Sequence, residues 1–242
     1  MNRDGINKTI FWSLLYIFLY SACTVIANLY LPNLLLITVG VSGIIYIIFN
    51  LFFIPYKREK LFVNGIFGAL AVMFAGIWLG KQLDLESTIS IGVVVTTMDI
   101  ISFTKIGKRT VNAKAMSNKT VAAKLFVYGL DKNDVLIPTC GFGDYLYYAM
   151  WISGTHALSS FGMSYVFVAF MVCVGTIIQS ITVKVLAKRD GFKGFPGTVF
   201  PFLCTVLAYL LLYYQGIQSW AVYLQNLYEK DLMRKRLIYC SN

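Results

Sequence analysis

The sequence has few of the side chains that bind catalytic metals or act as general bases in enzymes. It contains one histidine, His156, which excludes the HExxH zinc motif of metalloproteases. Its five cysteines are scattered and no CxxC pair occurs, so neither a disulfide framework nor a metal site is indicated.

Charged residues are also scarce, at 13% of the chain, whereas 58% of its residues are hydrophobic. No soluble domain of 242 residues needs that much apolar surface. Stretches long enough to cross a bilayer recur along the chain. We therefore predict an all-α, polytopic membrane protein with seven spans. They are placed at Ile10–Leu31, Leu34–Ile54, Leu61–Leu79, Thr88–Phe103, Val135–Leu158, Tyr165–Ala187 and Phe195–Tyr214.

The net charge of +10 is explained by topology and does not require a nucleic-acid partner. Basic residues are concentrated in alternate loops, with seven in the long fourth loop, Lys105–Asp134, and none in the first and fifth loops. By the positive-inside rule this pattern predicts a cytosolic N-terminus. The four basic residues of the tail disagree with that orientation, but several inner loops support it. Part of the fourth loop, Lys119–Tyr128, is expected to form a short interfacial helix.

Only two of the eleven acidic residues lie inside hydrophobic stretches. Asp99 lies in VVVTTMDIISF and Asp144 in TCGFGDYLYYAMW. A carboxylate within a bilayer is costly, so it usually has a function and a partner. The two aspartates lie on consecutive antiparallel spans, and both are expected near the inner boundary. Two carboxylates that share a proton are the chemistry of an aspartyl protease.

Glycines and prolines interrupt the helices around these spans. Gly141 and Gly143 leave no side chain beside Asp144, so another backbone can approach closely. They also suit an ordinary helix start, with the carboxylate stabilised at the positive N-terminus. In the last span, Pro196 and Pro201 free backbone groups, which at membrane depth must face protein or a watery cavity.

Three segments in this order resemble the GxGD intramembrane aspartyl proteases, the presenilin and signal peptide peptidase family. GFGDYLYYAMWISG resembles the GxGD segment, MDIISF the Tyr-Asp segment of the preceding helix, and PGT at 196–198 the Pro-Ala-Leu motif. Met98 stands in place of the family's tyrosine, and Gly197-Thr198 in place of Ala-Leu. Family members usually have nine spans, so seven spans make this chain similar to a short, prokaryotic-like homologue.

The resemblance implies that Asp99 and Asp144 are the catalytic pair of a hydrolase that needs no metal or organic cofactor. It implies substrates that are transmembrane helical proteins or peptides, in a multi-pass protein of the lipid bilayer, the cell membrane if the source is prokaryotic. Oligomeric state is not indicated. The residues expected to bind substrate are Gly141, Phe142, Gly143, Pro196, Gly197 and Thr198.

We accordingly expect one integral membrane domain over residues 1–242. Its N-terminal part, residues 1–87, holds the first three spans. Residues 88–215 form the catalytic core with the loop 105–134, and residues 216–242 form a tail.

Several other functions fit parts of the pattern. A proton-coupled transporter or channel would use the two aspartates as relay groups. The prepilin peptidases also use two aspartates and a GxGD motif. GVSG at residues 40–43 matches the GxSG of rhomboid serine proteases, but also suits close helix packing. Such a serine enzyme would need His156, predicted at the outer end of the fifth span, as the base for Ser42.

Overall fold

The described part of the chain is mostly helical, with one small sheet. The computed structural model describes residues 3–104, 107, 118–131, 135–158, 162–188 and 195–216. The helices are α1 (Arg3–Tyr30), α2 (Asn33–Phe52), α3 (Arg58–Gln82), α4 (Leu85–Ser102), α5 (Lys119–Lys124), α6 (Phe142–Gly154), α7 (Gly162–Leu186) and α8 (Val199–Gly216). Strands β1 (Phe126–Leu130) and β2 (Leu136–Gly141) lie between α5 and α6. The tail, residues 217–242, and most of the long loop lie outside the described residues.

Six of these helices are long and apolar enough to cross a membrane: α1, α2, α3, α4, α7 and α8. Many of their large apolar side chains are exposed, among them Phe18, Leu34, Phe52 and Phe170. An apolar outer surface of this extent suits acyl chains rather than water. The structure thus agrees with a multi-pass, helical membrane protein.

The fifth predicted span, Val135–Leu158, differs from the helix expected there. Its first part is strand β2, and its helix, α6, has only 13 residues. At helical rise this is about 20 Å, shorter than the roughly 30 Å hydrocarbon core. Pro138 and Gly141 explain the late start, because neither favours a helix interior. The helix begins at Phe142, between Gly141 and Gly143, the two glycines that suit a helix start.

Helix α6 forms the centre of the bundle, with α1, α3, α4 and α7 packed around it. Trp151, Tyr145 and Tyr148 of α6 are almost fully buried. Helix α3 lies against it at backbone distance, since a β-carbon at Gly76 would lie 2.5 Å from the Leu146 carbonyl oxygen. Small residues permit such close contacts between membrane helices. The long helices therefore surround and position a short central one.

A hairpin leads directly into α6. Strands β1 and β2 are antiparallel, with Phe126 opposite Gly141. The predicted loop helix, Lys119–Tyr128, is therefore only partly present, because α5 ends at Lys124 and the following residues pair in the sheet. An ion pair of 2.5 Å between Lys8 of α1 and Asp131 ties the hairpin to the N-terminal helix.

Lys124 connects this loop region to the C-terminal end of α2. Its ammonium group donates hydrogen bonds to three backbone oxygens, those of Asn50 (2.9 Å), Leu51 (3.2 Å) and Ile54 (2.6 Å). A helix ends with carbonyl groups that lack partners within the helix, and a cation there also favours the helix dipole. Lys124 thus anchors α5, and with it the hairpin, to the bundle.

Replacing Lys124 with methionine is expected to lower the thermal stability of the purified protein. The side chain keeps its length but loses three charge-assisted hydrogen bonds, a loss of about 1–3 kcal/mol. Lys119→Met is the matched control, because Lys119 is an exposed lysine of the same short helix. Unfolding midpoints measured in one detergent should fall for Lys124→Met only. Equal midpoints for the two variants would show that this anchor does not contribute to stability.

Candidate active site

Asp99 lies near the C-terminal end of α4 and is bound by the residue that precedes α8. Its Oδ2 atom accepts hydrogen bonds from the Thr198 backbone N–H (3.1 Å) and the Thr198 hydroxyl (3.0 Å). Thr198 is itself buried, and its carbonyl oxygen accepts the Phe202 N–H at 2.9 Å, the first turn of α8. Asp99 therefore sits at the positive N-terminus of α8, where a carboxylate is stabilised.

Asp144 occupies the corresponding place at α6. It lies in the first turn of that helix, and its Oδ2 atom accepts the backbone N–H of Gly141 at 3.3 Å. This is the helix-start geometry that the glycines around Asp144 permitted. Asp144 therefore lies at the N-terminus of α6, Asp99 is bound at the N-terminus of α8, and both side chains are half-buried.

Gly197 brings the two carboxylates into one site. A β-carbon at this position would lie 2.8 Å from Oδ1 and 3.0 Å from Oδ2 of Asp144. The next residue, Thr198, is the one that binds Asp99. Consecutive residues of one short segment therefore contact both aspartates, and glycine is required for this close approach. Three segments that are far apart in sequence meet here.

Tyr148 is a site residue that the sequence did not single out. Its hydroxyl donates to the Gly197 carbonyl oxygen at 3.0 Å, and its side chain is almost fully buried. It holds the segment Pro196–Thr198 against α6. The available signal was its spacing, because a residue four positions after Asp144 lies on the same helix face. Tyr147 lies within electrostatic range of both aspartates.

The other residues expected to bind substrate have different surroundings. Gly143 is exposed, and among the described residues no neighbouring atom lies within 4 Å of the place of a β-carbon there. At Gly141 the nearest atoms would be 3.8 Å away, one of them Asp144 Oδ2. The Phe142 side chain is buried, with its ring against Gly68 of α3, and Pro196 is buried as well. Open space next to Asp144 is therefore found on the Gly143 side.

The residues of the possible serine-protease site make ordinary structural contacts. The Ser42 hydroxyl donates to the Thr38 carbonyl oxygen of its own helix at 2.6 Å. The flanking Gly40 and Gly43 lie directly against Ala75 and Ala71 of α3. His156 contacts the Tyr165 hydroxyl through Nδ1 at 3.3 Å. The GVSG segment thus packs α2 against α3, as close packing of small residues predicts.

Known proteins give no independent assignment of this site: no protein-family model, curated protein or solved structure matches the chain. The positions of its side chains therefore indicate what chemistry the site can perform. Two half-buried carboxylates at adjacent helix starts, beside open space, provide groups that can accept and donate protons. In the described part of the chain no group of three or more histidine, cysteine, aspartate or glutamate side chains is placed to hold a metal ion.

Proposed function

We propose that this protein is an intramembrane aspartyl endopeptidase of the presenilin and signal peptide peptidase type. Its substrates are the membrane-spanning segments of other proteins, and Asp99 and Asp144 are its catalytic pair. The observation that carries the proposal is the contact of consecutive residues, Gly197 and Thr198, with the two carboxylates. A segment matching the third motif of that family thus adjoins both aspartates.

The proposed reaction uses one aspartate as carboxylate and the other in its protonated form. The carboxylate removes a proton from a water molecule, whose oxygen attacks the scissile carbonyl carbon, while the protonated partner donates to the carbonyl oxygen. When the tetrahedral intermediate collapses and the C–N bond breaks, the aspartate that took the proton from water gives it to the leaving nitrogen, and the other aspartate recovers its proton from the intermediate's hydroxyl group. The pair titrates as a unit, so neither role is assigned to one residue. Thr198 engages Oδ2 of Asp99, which leaves Oδ1 for water or substrate.

The surroundings of the pair suit an extended substrate segment. A helix must unwind locally before one of its peptide bonds can reach a carboxylate. The open space beside Gly143 gives room for such a segment. Strand β2 ends at Gly141, three residues before Asp144, and an extended segment can bind to backbone groups by strand addition. The Pro196–Thr198 segment is a second non-helical backbone segment next to the same carboxylates.

The proposed topology has seven crossings, with α6 and its hairpin as the fifth. The N-terminus, the loop 105–134 and the end of α7 lie in the cytosol, because these regions carry most of the basic residues. Asp99 and Asp144 are then both near the cytosolic boundary. Asp99 is five residues before Thr104, roughly 7 Å at helical rise.

A cysteine introduced at Lys119 tests this topology. Asn118 is less suitable for the substitution, because its side chain caps α5 by accepting the Thr120 and Val121 N–H groups. Lys119 is exposed and lies outside that cap. In sealed cells, an impermeant thiol reagent should add no label beyond that of the parent chain, and inverted vesicles should give strong extra labelling. Extra labelling of intact cells would reverse the topology.

An assay in proteoliposomes distinguishes the proposed protease function from the alternative function, proton-coupled transport. Vesicles containing the purified protein and a transmembrane reporter peptide are assayed for cleavage and, in parallel, for proton flux under an imposed gradient. The proposal predicts reporter fragments that increase with time. Proton flux that depends on Asp99 and Asp144, without any cleavage, would favour the relay function.

A further inference from the structure

A polar cavity of about 270 Å³ lies at the end of the bundle opposite the aspartates. It is formed by the ends of α1 and α3, the starts of α2 and α7, and the turn after α6. His156 follows Asp144 by twelve residues, roughly 18 Å at helical rise. The cavity is thus separate from the candidate active site. Its polar lining consists of Asn28, Asn33, Lys81, Gln82, His156 and Tyr165.

Lys81 is the lysine among the described residues that line the cavity, and these include no aspartate or glutamate. Asn28 offers no donor to a ligand, because it donates its amide hydrogens to the Thr24 carbonyl oxygen (2.9 Å) and the Ser153 hydroxyl (2.8 Å). Lys81 gives one hydrogen bond, 3.3 Å long, to the Asn28 backbone oxygen near the end of α1. An ammonium group has three donors, so two remain for a ligand. With the Tyr165 hydroxyl as donor to Nδ1 of His156, the imidazole proton lies on Nε2 and is also available. Such a cavity favours an anion with several acceptor oxygens.

Exposed apolar side chains lie close in sequence to the residues that line the cavity. Leu29 (44% exposed), which lines it, and Leu34 (74%), Met163 (76%) and Val166 (45%) lie on the three helices that also supply Asn28, Asn33 and Tyr165. A cation between membrane helices and exposed apolar residues on the same helices are the two halves of a phospholipid site, which by the proposed topology is in the outer leaflet. The cavity is slightly smaller than the roughly 300–1,000 Å³ of drug-sized ligand pockets. It therefore suits a headgroup, with the acyl chains outside.

We propose that this cavity binds the phosphate group of an anionic phospholipid, whose acyl chains lie on the exposed apolar residues of α1, α2 and α7. A phosphate provides the acceptor oxygens that the ammonium and imidazole groups need. A lipid without a headgroup cation fits best, because a choline or ethanolamine group would meet Lys81 and no carboxylate. This site is independent of the proposed proteolysis, since none of its residues contacts Asp99 or Asp144 in the hydrogen bonds described above.

Native mass spectrometry of the full chain in detergent tests this site. Dioleoylphosphatidylglycerol, dioleoylphosphatidylcholine and inorganic phosphate are each titrated into delipidated protein. The first lipid should bind most tightly, and Lys81→Gln should weaken its binding roughly tenfold by removing a charge-assisted contact. Lys81→Arg should retain binding. Lys57→Gln, which removes the same charge at the other end of α3, should bind as the wild type does.

If Lys81→Gln fails to fold, His156→Gln and Tyr165→Phe test the same site. Each of these variants should also weaken binding of the anionic lipid. Equal binding by all folded variants would overturn the proposal. Equal affinity for the anionic and zwitterionic lipids would also overturn it. Displacement of the anionic lipid by inorganic phosphate at millimolar concentration would overturn it as well, because it would identify a site for free anions.

Discussion

Asp99→Asn and Asp144→Asn are each expected to reduce cleavage of a transmembrane reporter at least about 1,000-fold. General acid and base catalysis by a positioned group contributes about 10²–10⁴-fold, and a carboxyl pair fails when either member is lost. Asparagine has nearly the shape of aspartate and can still accept the Thr198 and Gly141 hydrogen bonds. The loss should therefore be one of rate, with expression and thermal unfolding close to the wild type.

Asp84→Asn is the matched control for these variants. Asp84 is the exposed residue that caps α4 by accepting the Ser87 N–H at 2.7 Å, and asparagine caps helices equally well. This variant loses one carboxylate at the opposite end of α4 from Asp99, outside the site, and it should keep full activity. Substantial cleavage by either Asp99→Asn or Asp144→Asn would contradict the catalytic assignment.

Gly197→Val is expected to reduce cleavage at least about 100-fold. Its β-carbon would lie 2.8 Å from Asp144 Oδ1, so either the carboxylate or the Pro196–Thr198 segment must move. A displacement of about 1 Å within a catalytic site can cost that much rate. The same shift would pull Thr198 away from Asp99, so one substitution disturbs both aspartates.

Two other glycine substitutions show whether the effect of Gly197→Val comes from crowding of the site or from the loss of a glycine alone. Gly216→Ala, in the last turn of α8, adds a β-carbon with no neighbouring atom of the described residues within 4 Å, and it should be silent. Gly143→Val also points into open space in the free protein, but that space is the proposed path of the substrate. It should raise KM while leaving thermal unfolding unchanged. Wild-type KM for Gly143→Val would place the substrate elsewhere.

Much of the helical architecture could be predicted from hydrophobicity alone. The first four predicted spans correspond to α1–α4, and the last two to α7 and α8, with bounds that differ by one residue to about two helical turns. Apolar stretches of this length have few alternatives in a bilayer, because every backbone polar group must be paired. The start of α6 at Phe142 agrees with Gly141 and Gly143, which the sequence analysis found suited to a helix start.

The hairpin and the hydrogen bonds of the site could not be predicted in this way. Strand pairing of Phe126–Leu130 with Leu136–Gly141 depends on contacts with α1 and α3 that local propensity does not encode. The bond from Tyr148 to Gly197 joins residues 49 positions apart, and that from Thr198 to Asp99 joins residues 99 apart. The aspartates themselves were visible because carboxylates are rare in apolar stretches.

The masses of the fragments formed from a transmembrane reporter peptide test the proposed proteolysis most directly. Purified wild-type protein is reconstituted with a synthetic transmembrane peptide, and the products are identified by mass spectrometry after incubation in ¹⁸O-labelled water. The account predicts two complementary fragments cut within the apolar segment, ¹⁸O in the new C-terminal carboxylate, and no fragments from Asp99→Asn or Asp144→Asn. An intact peptide after incubation with folded wild-type protein in every lipid composition tested, or identical fragments from the two variants, would contradict it.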